Sequence, residues 1–570
     1  MERNNNMKRI FKISTLATLS LALTMSGCIK EIDPQQGYAT SGQAGNAPGA
    51  FDNFVTAITN QLTSSYSFGP ADYPWDYGYP TFFLMRDAMG QDMPLEDDGH
   101  NWYLNWYSCG TGLGPQYLYC QIPWTYYYSY IKSCNDVITM AGPEPSEAHR
   151  SGAGIAYAMR AFFYMDLARM FATKSYAIDP QAETVPLVLE TTDLNALANN
   201  PRATNEQMWT QIIADLDRAE SYLEGYTRPD KYTPDLSVVY GLKARAYLTM
   251  ENWPQAEEYA RLAQQGYSAL TAEQYLDRTN GFNSSTANNS WMFAVTYKST
   301  DLVMQINDAD SSWGSQMIPE VSASGMGYAA NYGAPKRIDY HLYQTIPATD
   351  CRKMCYVDFA IDEMDEASAL AALSEYSDVP EDLITAATAT TSKAIGGISV
   401  KFRPANGNHT NQYEAFCVAV PLMRVEEMQL IEAEAAGMQD EARGIQLLTA
   451  FAQTRDPQYT YGTHFETYGS TYANSFRNEV WWQRRVEFWG EGLATFDIKR
   501  LDKGVIRNYA GTNHPEGYRW NVGGYNTTDG STYPDWMNLC IVQTETNNNS
   551  ACSQNPTPIM PTQDSPEYNW

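Results

Sequence analysis

Apolar residues recur at intervals of three and four along most of this chain, which is the spacing of one face of an α-helix. The clearest example is a stripe of five residues separated by 4, 3, 4 and 3 positions: Trp482, Val486, Trp489, Leu493 and Phe496. This stripe predicts one helix that begins near Glu479. Gly490 and Gly492 lie inside it, and each costs about 1 kcal/mol relative to Ala in a helix. We therefore expect close backbone packing at that point.

Two other segments predict helical hairpins. The first joins Asp235–Met250 to Pro254–Gly266, and the second joins Pro421–Ala436 to Asp440–Gln453. Small residues fall where the paired helices would cross, and they resemble those of tetratricopeptide repeats. Because the spacing between the pairs is irregular, the pattern indicates a degenerate set of helix pairs rather than a regular array.

The remaining periodic segments complete a mainly α fold. Helices are expected from about Gly154 to Phe171 and from Asn205 to Leu223, the second opened by the capping box Thr204-x-x-Gln207. Residues 291–297 and 352–359 predict short strands among polar loops. No change in composition marks a second domain, so residues 51–570 are expected to form one mainly α domain with a minor loop-and-short-strand region.

The N-terminal residues predict export and lipidation. A basic segment precedes thirteen uncharged residues, Ile13–Met25, which suit a signal peptide but are too short to span a bilayer. The end of this segment and the residues after it, Leu23–Cys28, resemble the lipobox of bacterial lipoproteins. The alternative is an ordinary signal peptide in which Cys28 occurs by chance. We expect removal of residues 1–27, acylation of Cys28 and a flexible tether over residues 28–50.

Charge and cysteine content narrow the classes of function. The chain has 38 Lys and Arg against 66 Asp and Glu, a formal charge of -28, which argues against nucleic-acid binding. Export permits disulfides, and Cys109 with Cys120 or Cys540 with Cys552 are possible pairs that sequence alone does not decide. There is no CxxC motif, so zinc is not expected and no metal ligands are predicted, while the sequence leaves the presence of a structural calcium open.

Aromatic residues are concentrated in residues 66–130, where 19 of the 65 positions carry a ring. Between Tyr73 and Trp106 they alternate with Pro, Gly and polar residues rather than following a helical stripe. A pyranose presents an apolar C–H face and a rim of hydroxyls, which suit aromatic planes beside Asp and Asn side chains. The candidate ligand-binding residues in this region are Trp75, Tyr77, Asp98, Asn101, Trp102 and Trp106.

A second candidate patch follows Ser311 and contains Trp313 and Tyr332, with Tyr328 between them. The alternative for every one of these rings is that it packs a loop onto the helices. That alternative is favoured for Trp124 and its neighbours, because they lie on a predicted helix.

Six blocks of sequence resemble, in order, the motifs of one known family. They are Trp124-x3-Tyr128-x2-Ile131-x3-Asn135; Arg160–Tyr164 followed by Val185–Val188; Arg202-x-Thr204 leading to Ile213-x-Asp215-Leu216; Lys243–Leu248 through Trp253-x2-Ala256; Arg424-x2-Glu427-x3-Ile431-x-Ala433-Glu434-Ala435; and Arg484-Arg485-x-Glu487-x3-Glu491-Gly492-x4-Asp497-x2-Arg500. Behind a lipobox, this order resembles the SusD/RagB family of glycan-binding outer-membrane lipoproteins.

The resemblance implies a cell-surface receptor that binds oligo- or polysaccharide and delivers it to a SusC-like TonB-dependent transporter. It also implies an outer-membrane location, lipid-anchored and facing the exterior. In this family, glycan contacts come from loops in about the two regions chosen above. A peptide-binding, RagB-like member of the same fold is the first alternative.

A secreted glycoside hydrolase or lyase is the second alternative, and the sequence gives it little support. Glu487 and Glu491 share a helix face, but we expect them to pair with Arg484, Arg485 or Arg500 rather than to flank a glycosidic bond. The nucleophile-elbow, zinc-protease and P-loop motifs are all missing. We therefore predict no catalytic residues, no cofactor and no enzyme activity.

Overall fold

The computed structural model describes residues 49–66, 73–97, 99–522, 537–558, 561 and 565–570. Backbone contacts divide the chain into two compact units, Met1–Phe51 and Asp52–Trp570. Only residues 49–51 of the first unit are described. The predicted signal peptide, the lipidation site Cys28 and most of the tether therefore lie outside the described residues, as does Asp98.

Helices dominate the described residues, which confirms the predicted mainly α fold. In chain order they are α1 Ala50–Asn60, α2 Thr81–Met89, α3 Leu104–Ser108, α4 Leu118–Ala141, α5 Glu147–Phe171, α6 Asn205–Tyr222, α7 Leu236–Thr249, α8 Trp253–Ala263, α9 Ala272–Tyr275, α10 Leu302–Gln305, α11 Trp313–Met317, α12 Tyr328–Asn331, α13 Tyr340–Thr345, α14 Glu366–Leu373, α15 Pro380–Thr388, α16 Gln412–Ala415, α17 Val425–Gly437, α18 Glu441–Ala452, α19 Ser475–Glu487, α20 Ala494–Arg500 and α21 Gln543–Asn548. The strands are β1 Glu183–Pro186, β2 Arg202–Thr204, β3 Trp291–Thr296, β4 Ala419–Arg424, β5 Val505–Ile506 and β6 Asn521–Val522.

The helices form a row of packed neighbours, in which α4 packs on α5, α5 on α6, α6 on α7 and α7 on α8. Helix α8 also contacts α17, which packs on α18. The predicted hairpins are thus α7–α8 and α17–α18, and they lie side by side although they are far apart in the chain. Within the second hairpin, small residues let α17 and α18 approach closely, since a Cβ on Gly444 would lie 2.3 Å from the Cα of Gly437.

The capping box before α6 is confirmed. The Thr204 hydroxyl accepts a hydrogen bond from the Gln207 N–H at 3.2 Å, and the Gln207 side-chain oxygen accepts one from the Thr204 N–H at 3.0 Å. These reciprocal bonds satisfy donors that the first turn of a helix otherwise leaves unpaired. Local sequence therefore sets where α6 begins.

Each of the short sheets in the described residues is one antiparallel pair: β1 with β2, β3 with β4, and β5 with β6. The strand predicted at residues 291–297 is confirmed as β3. Its partner β4 occupies residues predicted as the start of a helix, so α17 begins at Val425 rather than Pro421.

The strand predicted at residues 352–359 is wrong. This stretch holds the 3₁₀ helix Cys351–Cys355 and the start of another, Phe359–Glu363. The Asp350 carboxylate accepts a hydrogen bond from the Arg352 N–H, and the Asp358 carboxylate accepts one from the Ala360 N–H. These local caps favour turns over an extended strand.

The helix predicted from Glu479 through Phe496 is broken into α19 and α20. Gly490 and Gly492 lie in the break with φ of +77° and +73°, which is the left-handed region that favours glycine. A Cβ on Gly492 would lie 2.6 Å from the Phe83 Cα, and one on Gly490 would lie 2.7 Å from the Phe402 ring. The expected close packing is present, but the two glycines turn the chain instead of continuing the helix.

The described cysteines, including Cys109, Cys120, Cys540 and Cys552, are free thiols. Neither of the possible disulfides is formed, so hydrophobic burial and hydrogen bonding hold the described fold together without cross-links. Within the same residues, we find no helix with the length and apolar character needed to cross a bilayer.

Candidate ligand-binding surface

Four of the rings selected from the sequence are buried, which corrects the expectation that they lie on exposed loops. Tyr77, Trp106 and Trp313 have no exposed surface, and Trp75 is 3% exposed. A ring covered on both faces cannot stack on a ligand. The alternation of rings with turn-forming residues between 73 and 80 therefore marks a loop that folds inward.

Neighbouring rings explain this burial. Trp313 lies edge-on between Phe83 and Phe402, with ring centroids 5.9 and 5.3 Å away. The Tyr77 hydroxyl shares a hydrogen bond of 2.5 Å with the Tyr103 hydroxyl, so its polar tip is satisfied within the core. Aromatic pairs of this kind contribute packing energy beyond the area that they bury.

Asn101 is buried as well, but its polar atoms are not hydrogen-bonded as the Tyr77 hydroxyl is. It is 4% exposed, and neither its Oδ1 nor its Nδ2 has a hydrogen-bond partner among the described residues. A buried amide without partners costs about 1–3 kcal/mol. The next residue, Trp102, is 36% exposed.

Trp102 and Tyr332, chosen from separate segments of the sequence, meet in one cluster. Their link is Tyr328, whose ring centroid lies 5.9 Å from that of Trp102 and 5.5 Å from that of Tyr332. The exposed His100 ring lies 5.6 Å from Tyr332. Tyr328 is only 7% exposed, so it supports the other three rings rather than offering a face of its own. We call these four residues the aromatic surface: His100, Trp102, Tyr328 and Tyr332.

A carboxylate fixes the backbone that presents the aromatic surface. Asp310 Oδ1 accepts hydrogen bonds from the Gly327 N–H at 2.6 Å and from the Ser315 hydroxyl at 3.4 Å. The Ser315 hydroxyl oxygen in turn accepts the Tyr328 N–H at 3.0 Å, at the start of α12. Burial raises the pKa of Asp310 to about 6, although the Gly327 N–H opposes the rise.

The loop before Asp310 adds a polar rim. Asn307, Asp308 and Ala309 all have positive φ, between 48° and 65°, which turns the Asp308 side chain outward at an exposed position. Asp308 Oδ1 accepts a hydrogen bond of 2.8 Å from the hydroxyl of Tyr413, itself 41% exposed. An exposed carboxylate and an exposed phenol therefore lie beside each other.

This arrangement has the chemistry needed to bind a sugar. Ring planes cover the apolar C–H face of a pyranose, and carboxylate and amide groups bind its hydroxyls. Within the part of the chain that the structure describes, no group of three or more His, Cys, Asp or Glu side chains is placed to hold a metal ion.

The carboxylates considered for catalysis hold the core together. Glu487 is fully buried and contacts Arg455 and Arg424 at 3.0 Å and Arg352 at 3.4 Å. Burial alone would raise the pKa of Glu487, but these three guanidinium groups hold it well below its ordinary range. Glu491 is bound by Arg424 and by a buried lysine.

The structural role expected for Glu487 and Glu491 agrees with these contacts, while the expected partners are wrong. Arg484 and Arg500 bind Asp497 instead, and Arg485 binds Asp92. A carboxylate enclosed by guanidinium groups in the core has no cleft in which a glycosidic bond would fit.

Sequence reasoning missed His100, Asp308, Asp310 and Tyr413 as members of the site. His100 resembled the other single histidines in the chain, and Tyr413 lies 105 positions after Asp308, its partner in the site. The segment Asn307–Asp310 could have predicted a tight turn at this position, because Asn and Asp tolerate positive φ better than most residues. The approach of Tyr413 depends on tertiary packing and has no local signal.

The fold and the aromatic surface define a mainly helical binding protein, and comparison with known families is specific. A model described as the SusD family matches residues 260–557, and one described as starch-binding and associating with the outer membrane matches residues 96–248. The first covers more than half of the chain. The protein therefore belongs to the SusD family. A search of curated proteins found no match.

Solved structures share the whole architecture. A SusD-like carbohydrate binding protein from Bacteroides vulgatus is 21% identical with a TM-score of 0.64, covering 88% of this chain and 97% of that one. Surface glycan-binding protein A from Bacteroides thetaiotaomicron, in complex with laminarihexaose, is 17% identical with a TM-score of 0.61, covering 89% and 98%. At these identities the likeness establishes the fold alone.

Proposed function

We propose that the protein is a non-catalytic glycan receptor whose aromatic surface binds oligo- or polysaccharide. The observation that carries this proposal is the cluster in which Trp102 and Tyr332 meet beside an exposed carboxylate. Membership of the SusD family supports it, as does the relative of the same fold that was solved with laminarihexaose.

We propose that the receptor acts at the cell surface. It is anchored to the outer membrane through an acylated Cys28, faces the cell exterior and passes its ligand to a SusC-like TonB-dependent transporter. The lipobox-like sequence before Cys28 supports the anchor, and the family description supports the membrane. The transporter partner rests on the family resemblance.

Affinity electrophoresis of the purified protein tests the proposal. Native gels would contain laminarin, xyloglucan, yeast α-mannan, pectin or mucin glycans, and the mobility of the protein would be compared with that in a gel without polysaccharide. We expect retardation by at least one polysaccharide and no new reducing ends after prolonged incubation. Cleavage would identify an enzyme instead, and binding of peptides without any glycan would favour the RagB-like alternative.

A further inference from the structure

A second aromatic platform lies outside the aromatic surface, around Trp570. This ring is 43% exposed, yet one of its faces stacks on His341 with centroids 3.5 Å apart and planes 7° apart. Tyr468, Tyr509 and Tyr568 contact it at steep interplanar angles, with centroids 5.0–5.7 Å away. A ring backed on one face and surrounded at its edges is held rigidly with its other face toward solvent.

The segment that carries Trp570 is fixed by hydrogen bonds. The Tyr568 N–H donates to the Asn508 carbonyl at 2.9 Å, and the Asn508 side-chain amide donates to the Ser565 carbonyl at 2.7 Å. The Asn521 side-chain amide donates to the Pro566 carbonyl at 2.9 Å. Trp570 therefore needs little further ordering when it binds, which lowers the entropic cost of a contact.

His341, the ring behind Trp570, is held in turn. Its Nε2 lies 2.5 Å from Glu466 Oε1, and its backbone N–H donates to the Tyr509 hydroxyl at 3.0 Å. Burial would raise the pKa of Glu466, but its hydrogen bond to His341 and the charge of Arg485 lower it. Glu466 is thus ionised at neutral pH and has lone pairs left for a further hydroxyl.

Glu466 also lines an open depression of about 360 Å³, together with Thr345, Thr463, His464 and Phe465. Phe465 is 47% exposed, so the depression combines a second ring with the Glu466 carboxylate, whereas both ring nitrogens of His464 are hydrogen-bonded within the protein. We propose that Trp570 and this depression form a second carbohydrate-binding site, which takes the apolar face of a pyranose on the free face of Trp570.

A protein partner fits this region less well. Stable protein interfaces bury about 800 Å² on each side and centre on a contiguous apolar patch. Here two exposed rings are separated by polar groups, which is the pattern of a sugar subsite rather than of an interface core. The identification of the ligand as a carbohydrate rests on the proposed function. The location of the second site does not, because it rests on the contacts around Trp570 and Glu466.

Retention by polysaccharide gels would be compared for wild type, Trp570→Ala, Phe465→Ala, Trp102→Ala and the Trp102→Ala/Trp570→Ala double variant. The gels would contain laminarin, xyloglucan or yeast α-mannan. Tyr117→Ala is the matched control, because Tyr117 is also 43% exposed and belongs to neither site. We expect Trp570→Ala and Phe465→Ala to weaken retention roughly tenfold or more, and the double variant to lose it. Because Trp570 also packs on His341 and three tyrosines, thermal unfolding is measured for each variant and retention is compared where all of them are folded.

The two proposals fail differently in this experiment. If wild type is retained and Trp102→Ala reduces retention, but Trp570→Ala and Phe465→Ala behave like Tyr117→Ala, the second site is wrong and the proposed function stands. If no polysaccharide retains the wild-type protein, the proposed function fails and the second site fails with it.

Discussion

Trp102 and Trp313 are the same residue type in opposite environments, one 36% exposed and the other fully buried. Trp102→Ala should cost about 2 kcal/mol or more of ligand binding, roughly thirtyfold in affinity, and leave the melting temperature almost unchanged. Trp313→Ala should leave a cavity between Phe83 and Phe402 and lower the free energy of unfolding by about 3–5 kcal/mol. Retention on the bound polysaccharide and thermal unfolding measure the two effects. Intact binding by the Trp102 variant would remove this ring from the site.

Asp310 makes the protein's stability depend on pH in a defined direction. Its pKa is raised to about 6 in the folded protein, whereas in an unfolded chain an Asp titrates near pH 3.9. Between these values the folded state binds more protons than the unfolded state, so the stability contributed by Asp310 falls as pH rises. Asn at this position retains the acceptor for the Gly327 N–H and does not titrate.

The comparison of wild type with Asp310→Asn isolates this contribution. We expect wild type to lose free energy of unfolding relative to the variant between about pH 4 and pH 6, and the difference to stay constant above that range. Urea denaturation at pH 4, 5, 6 and 7.5 measures it. If the difference in free energy of unfolding between wild type and variant does not change with pH, or changes in the opposite direction, the assigned burial of Asp310 is wrong.

At the scale of elements, Glu487 at the end of α19 joins three parts of the fold. Its guanidinium partners come from β4, from the 3₁₀ helix Cys351–Cys355 and from the residues after α18. Glu487→Gln leaves those buried charges without a full counter-charge, so we expect a loss of about 3–5 kcal/mol in the free energy of unfolding. Glu224→Gln, at an exposed position, should change it by less than about 0.5 kcal/mol. A chemical denaturation curve for each variant tests this, and equal values for the two would show that Glu487 is not structurally important.

Sequence periodicity predicted elements whose ends have local signals. Asp235 accepts a hydrogen bond from the Val238 N–H before α7, and Thr204 caps α6, so both helices begin where they were expected. The break between α19 and α20 was missed because an apolar stripe continues through it, whereas the turn depends on the close contacts of Gly490 with Phe402 and of Gly492 with Phe83.

The candidate site was harder to predict than the helices. Ring composition selected two regions that the structure brings together in the aromatic surface. It does not distinguish a loop that folds inward, such as that of Tyr77, from one that faces solvent, such as that of Trp102. Exposure depends on which distant elements cover each ring. Trp313, for example, is covered by Phe83 and Phe402, which lie in separate parts of the chain.

At the scale of the whole molecule, the proposed anchor is the single thiol of Cys28. Cys28→Ala should prevent acylation and release folded protein into the soluble fraction, because one acylated residue is the only membrane attachment that we predict from the sequence. Fractionation followed by immunoblotting measures this. Since a transporter would also retain the protein, the comparison is made in cells from which that partner has been deleted. A variant still bound to membranes there would disprove the lipobox interpretation.

A structure of the protein with a bound oligosaccharide would show whether the aromatic surface binds glycan. The protein would be crystallised with an oligosaccharide derived from whichever polysaccharide retards it in a gel. We predict a sugar ring stacked on Trp102, with Tyr332 beside it and a hydroxyl within hydrogen-bond distance of the exposed Asp308 carboxylate. An oligosaccharide bound elsewhere, with Trp102 and Tyr332 uncovered, would contradict the account.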